Sequence, residues 1–143
     1  MAYRTDGPSK EGLQPRIIRF LADGIAWREP WPSENEFFSK RPEVAGMATE
    51  DDCVILNPYS ALNEGEREAV LRNESARVFM RRNGLCPTFS LTPEQSSSFA
   101  NYGPLESVKA TIAARILSGD PSALAPTDEQ LAFVRDLKDK MGL

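Results

Sequence analysis

The chain has 143 residues, 41% of them hydrophobic and 27% charged, a balance that fits one globular domain with a single core. Its net charge of -4 opposes wide contact with nucleic acid or anionic membrane, because both polyanions demand a positive footprint. The sequence contains no histidine. That excludes Ser-His and Cys-His nucleophile pairs, His-ligated metal sites and the usual proton carrier near neutral pH.

Residues 1–10 are polar and are expected to form an extended arm. Residues 11–60 are cut by proline and glycine into short pieces and are expected to be irregular and rich in aromatics. Within them, residues 15–22 predict a short helix, with proline in the first turn and Ile17, Ile18 and Leu21 as an apolar stripe. Residues 27–32, Trp-Arg-Glu-Pro-Trp-Pro, are kept out of helix by their prolines. Ser33 with Glu36 reads as a capping box that opens a short helix through Phe37 and Phe38 to about Lys40. Residues 53–57 have strand propensity, but the segment 44–47 is short and broken by Gly46, a poor partner for them. The apolar run at 53–56 is far short of a membrane span, and no membrane contact is expected.

From residue 61 onward four helices announce themselves by their ends. Asn63 with Glu66 opens a long one that stops at Gly84. It is apolar on two sides, with Ala69, Ala76, Phe79 and Met80 on one and Leu71 and Val78 on the other, which suits the central helix of a bundle. Thr92-Pro93-Glu94-Gln95 opens the next, which is expected to bury Phe99 and Tyr102. A third runs from about Pro104 to Leu117, with Leu105, Val108, Ile112 and Ile116 in register and Gly119 as its stop. Thr127 with Gln130 caps the last, whose inward stripe is Leu131, Val134, Leu137 and Met141. The two Thr-x-x-Gln starts read as one capping chemistry used twice. The expected fold is therefore mainly α: a single domain with a bundle of about four helices over residues 61–143 and at most one short strand pair.

Chemistry is harder to place. Carboxylate pairs are the catalytic device that works without histidine, and Glu64 with Glu68, or the triplet Glu50, Asp51 and Asp52, supply candidates. The same glutamates also suit a helix N-terminus, and the triplet suits a solvated loop or a divalent cation. No metal or cofactor is expected, since no EF-hand loop, phosphate-binding glycine loop or paired CxxC occurs. Cys53 and Cys86 are expected as reduced thiols, Cys53 as a small buried hydrophobe. The stretch 72–82 is the most unusual. Asn73 falls on an apolar side of its helix, Glu74 can pair with Arg77, and Arg77 and Arg81 share a face, with Arg82 beside them. This arginine group could grip a partner's carboxylates or close the helix's own ion pairs. Trp27, Trp31, Phe37 and Phe38 are the second candidate contact surface, as aromatics anchor interfaces.

The phrases 55–60 (Ile-Leu-Asn-Pro-Tyr-Ser), 73–74 (Asn-Glu), 91–95 (Leu-Thr-Pro-Glu-Gln) and 111–122 (Thr-Ile-Ala-Ala-Arg-Ile-Leu-Ser-Gly-Asp-Pro-Ser) resemble uncharacterised small proteins of tailed bacteriophages and prophages, over residues 42–141. The resemblance carries over no site residue. It implies a protein of the infected bacterium's cytoplasm or of the virion. The resulting expectation is a non-catalytic interaction or accessory module, a phage structural or host-interacting protein whose partner is another phage or host protein. The alternative is a histidine-free carboxylate hydrolase acting on glycan.

Overall fold

The computed structural model describes residues 15–143, so the arm expected at 1–10 lies outside the described residues. The fold is α+β. Among the described residues five α-helices accompany a four-stranded mixed sheet, and the expectation of a mainly α protein with at most one strand pair is overturned. The strands are β1 (Ile17–Phe20), β2 (Ala26–Arg28), β3 (Gly46–Ala48) and β4 (Val54–Leu56), in the spatial order β1-β2-β4-β3. β1 and β2 run antiparallel, β2 and β4 parallel, and β3 and β4 antiparallel. The helices are α1 (Pro32–Ser39), α2 (Glu64–Arg82), α3 (Pro93–Ser98), α4 (Leu105–Ser118) and α5 (Asp128–Met141).

Two strands stand where sequence patterning predicts otherwise. The segment 15–22 forms β1 and a short 3-10 turn at Ala22–Gly24, not a helix. Ile17, Ile18 and Leu21 fit a helical stripe, but pairing with β2 overrides that weak local preference and leaves Ile17, Ile18 and Phe20 exposed. Gly46, the apparent breaker, is what lets β3 exist. A Cβ there would meet Val70 Cγ1 at 2.8 Å and the Ile55 carbonyl at 3.0 Å, so only glycine allows the strand to lie this close to α2.

Strands of three or four residues do not hold together alone. A buried guanidinium joins them to their surroundings. Arg28 of β2 donates from Nη1 and Nη2 to the two carboxylate oxygens of Glu34 on α1 at 2.9 and 3.1 Å. It also reaches Asp51 in the β3–β4 turn through Nε and Nη2 at 3.3 and 3.1 Å. Burial alone would lower the Arg28 pKa, but the bonds from Glu34 and Asp51 outweigh it and raise it. Glu34 additionally accepts from the Trp31 backbone N–H at 2.7 Å, so α1 starts at Pro32 with Glu34 as its capping carboxylate instead of Glu36. At the far end of α1, the buried Asn57 amide donates to the carbonyls of Phe38, Arg41 and Val44.

The helices of the second half start and stop close to where their caps place them. Asn63, Thr92 and Thr127 each close a capping box, and Gly119 and Gly142 adopt the left-handed conformation that ends α4 and α5. α2 packs on β3 and β4 with one side and on α4 with another, so its second apolar side faces the sheet. The two box glutamines have a further role. Gln95 and Gln130 are fully buried and bond each other reciprocally at 2.9 and 2.7 Å, which docks the start of α3 on the start of α5. Their remaining amide hydrogens go to the carbonyls of Ala123 and Ser90. The inward stripes are only partly as patterned: Tyr102, Leu105 and Leu131 are exposed, whereas Phe99, Val108, Ile112, Val134, Leu137 and Met141 are buried.

Removing Arg28 leaves Glu34 buried without its counter-charge. Arg28→Ala is expected to lower unfolding free energy by about 3–5 kcal/mol, read as a lower urea midpoint. A loss below about 1 kcal/mol would show that the sheet does not depend on this contact.

Candidate functional site

A largely half-buried stripe of α2 forms the floor of an open groove. Glu66, Ala69, Val70, Asn73, Glu74, Arg77 and Arg81 recur along it at the three- and four-residue spacing of one helix face. β3 forms one wall, from Ala45 to Ala48, and α4 forms the other through Glu106, Ala110, Thr111 and Ser118. The groove's volume of about 1320 Å³ exceeds the roughly 300–1,000 Å³ typical of small-molecule sites.

Its centre is polar. The Glu74 side chain is only 17% exposed and Arg77 is 34% exposed, one turn apart, with Glu74 Oε1 3.8 Å from Arg77 Nε. That separation is too long for a hydrogen bond. Arg77 instead donates from Nη1 to the buried Thr111 hydroxyl on α4 at 2.7 Å. The Ala48 backbone N–H of β3 lies near the Glu74 carboxylate and favours its charged form. Asn73 points to α4 and meets Ser118 Oγ at 3.5 Å, a stretched contact. Burial pushes the Glu74 carboxyl up to about 7, and the Arg77 charge and the Ala48 N–H offset this only in part. A chain without histidine thus has a carboxyl that titrates near neutrality, inside a groove.

The other residues singled out from sequence lie apart from this centre. Arg81 donates to Asp52 at 2.7 Å and to the Thr49 carbonyl, and Arg82 reaches Asp23 at 3.2 Å. These two arginines clamp the β3–β4 turn and the turn after β1 onto α2. Only Arg77 of the three has its charge at the groove centre. Trp31 and Phe38 are buried in the core, and Trp27 and Phe37 are half-buried. The apolar side chains left exposed near them belong to β1: Ile17, Ile18 and Phe20.

The candidate carboxylate pairs do not face each other across a cleft. Glu68 is bonded to Arg19 at 2.8 Å, which holds its carboxyl below the usual range. Glu64 is exposed. The acidic triplet divides, with Glu50 exposed, Asp51 on Arg28 and Thr49, and Asp52 on Arg81. Burial would raise the Asp51 carboxyl, but its bonds to Arg28 and Thr49 bring it below the ordinary value. Among the described residues no group of three or more Cys, Asp or Glu side chains is placed to hold a metal ion. Both cysteines are free thiols. Cys86 is exposed, while Cys53 is half-buried, not fully buried as expected, and burial together with the Asp51 charge raises its pKa. No helix among the described residues is long and apolar enough to cross a membrane.

Comparisons with protein-family models, with curated proteins and with solved structures returned no match.

The raised Glu74 pKa has a consequence for stability. The folded chain holds this proton to about pH 7, whereas the unfolded chain releases it near 4.5. Stability is therefore greatest below about 4.5 and falls as pH rises towards 7, by no more than about 3 kcal/mol. Glu74→Gln keeps the size and shape of the side chain and removes the charge. It is expected to raise the melting temperature at pH 8 and to flatten stability between pH 4.5 and 7. A variant less stable than the wild type at pH 8 would mean that Glu74 is a satisfied structural ion.

Proposed function

We propose that the chain is a non-catalytic interaction module that takes a segment of another protein into the groove along α2. The observation that carries this reading is the incomplete polar centre. Glu74 is buried at a cost, and its ion pair with Arg77, at 3.8 Å, is too long for a hydrogen bond, while Arg77 donates to Thr111. A partner that supplies hydrogen-bonding groups to this carboxyl and guanidinium would complete both. The groove's volume of about 1320 Å³ is larger than a small-molecule pocket's, which favours a chain segment as its occupant. In the setting that the phage resemblance implies, the partner is a phage or host protein, and the module acts in the host cytoplasm or on the virion. Contact through the aromatic segment 27–38 has less support, because Trp31 and Phe38 are core residues.

The hydrolase alternative gains one observation, the near-neutral carboxyl of Glu74. It also needs a second carboxyl about 5–10 Å away across a cleft, and Asp51, Asp52 and Glu68 are each bonded to arginine.

A displayed library of random peptides selected on the immobilised full chain tests the reading. The enriched peptides are then measured on Arg77→Ala and on the remote Lys138→Ala, with the folding of each variant checked by circular dichroism. Enriched peptides are expected to lose about tenfold or more in affinity on Arg77→Ala, since a bond to a charged group contributes about 1.5–3 kcal/mol. They should bind Lys138→Ala unchanged. No enrichment, or binders indifferent to Arg77, would sink the module. Cleavage of a glycan by the wild type but not by Glu74→Gln would favour the alternative.

A further inference from the structure

We infer that the occupant is an extended, basic peptide segment that adds to the sheet as a fifth strand along the free edge of β3. The inference rests on the interaction-module reading and specifies what such a module would bind.

The first support is the direction of the backbone groups. β3 ends the sheet, with β4 on one side only. Asn57 N–H bonds the Ala45 carbonyl at 2.9 Å and Thr49 N–H bonds the Cys53 carbonyl at 2.8 Å. The antiparallel register between them, with Met47 opposite Ile55, directs Ala45, Met47 and Thr49 towards β4. The alternating groups of Gly46 and Ala48 therefore point outward, to the groove side. The Ala48 N–H lies near the Glu74 carboxylate. Among the described residues the Gly46 N–H and the carbonyls of Gly46 and Ala48 have no partner. An incoming strand can exchange two bonds with Gly46 and give a third to the Ala48 carbonyl. There the Glu74 carboxylate, beside the next N–H, ends the ladder.

The second support is the absence of a guard. Proteins blunt exposed edges with lysine, proline, a bulge or a covering element. β3 reads Gly-Met-Ala, and nothing in that short run repels a second strand. The bulge in this sheet lies in β1. β1 is the opposite edge, and although it exposes apolar side chains, nothing identifies what would cover it.

The third support is charge. The groove is lined by five carboxylates against three arginines. Arg81 is neutralised by Asp52, which lies outside the lining. Arg115 stacks on Phe99 and Tyr102 and bonds Ser122. Glu43 and Glu106, on the opposing walls, form no ion pair among the described residues. Lysine or arginine side chains of an incoming strand would meet these carboxylates and Glu74.

The test is a titration of the 15N-labelled full chain with acetyl-Val-Lys-Val-Lys-Val-Lys-amide, followed by amide chemical shifts. Two further peptides carry N-methyl groups on one or the other alternate set of backbone nitrogens, and a fourth replaces Lys by Glu. Shifts are expected at Gly46 and Ala48. One N-methylated set should lose about tenfold or more in affinity while the other binds normally, because only one set faces β3. The Glu peptide should also lose about tenfold or more. If both methylated peptides bind equally well while the shifts still map to the groove, the strand inference falls and the module reading stands. If neither this peptide nor any library peptide shifts groove residues, both fall. Concentration-dependent dimerisation that shifts Gly46 and Ala48 without peptide would assign the edge to a second copy and overturn the inference.

Discussion

The guanidinium of Arg28 is the contact on which the first half of the molecule depends. Arg28 of β2 lies 6 residues from Glu34 on α1 and 23 from Asp51 in the β3–β4 turn, and each of these elements is too short to persist alone. Arg28 joins the three by bonding Glu34 and Asp51 from a buried position. A single uncompensated charge at this depth would be prohibitive, so the three groups stand or fall together. Arginines and glutamates on the surface of α2 then fix this unit to the helical half. Arg81 holds Asp52, Arg82 holds Asp23, and Glu68 holds Arg19. Each of these exposed pairs is weak alone, and together they set the position of the sheet on α2.

That position creates the groove. Because Gly46 lets β3 lie directly against Val70, the outer edge of the strand comes beside the polar stripe of α2. Glu74 then comes near the Ala48 N–H across the junction. The core arrangement and the candidate site share this crossing. The Arg28 network holds its charges by direct hydrogen bonds, whereas Glu74 has an ion pair with Arg77 that at 3.8 Å is too long for one. Incomplete compensation of this kind is characteristic of binding and catalytic sites, where the missing partner arrives with the ligand.

Much of the helical half was legible because caps are local. Asn63 with Glu66, Thr92 with Gln95 and Thr127 with Gln130 set helix starts within a few residues of themselves, as Gly119 sets a stop. Of the sheet only the strand at 53–57 was legible, present as β4, and the rest was not, because pairing is a long-range property. Ile17, Ile18 and Leu21 satisfy a helical stripe equally well, and Gly46 reads as a breaker until Val70 is placed above it. The two Thr-x-x-Gln boxes were visible as caps. That their glutamines pair at the centre of the molecule, 35 residues apart, was not. Trp31 and Phe38 stood out by size, and the core absorbed them. Glu74 was visible only as the i, i+3 partner of Arg77. Its burial comes from β3 and α4, and no local signal marks it. The cue that pointed nearest to the site was Asn73 on an otherwise apolar side of α2.

The central claim is that β3 presents an open edge beside Glu74. Amide hydrogen exchange on the free full-length chain tests it most directly. Met47 and Ile55, which face each other across the pair, should be protected. Gly46, at the same depth in the same strand, should exchange at least tenfold faster than Met47. If Gly46 is as slow as Met47 in the free monomer, the edge is already occupied and the account is wrong.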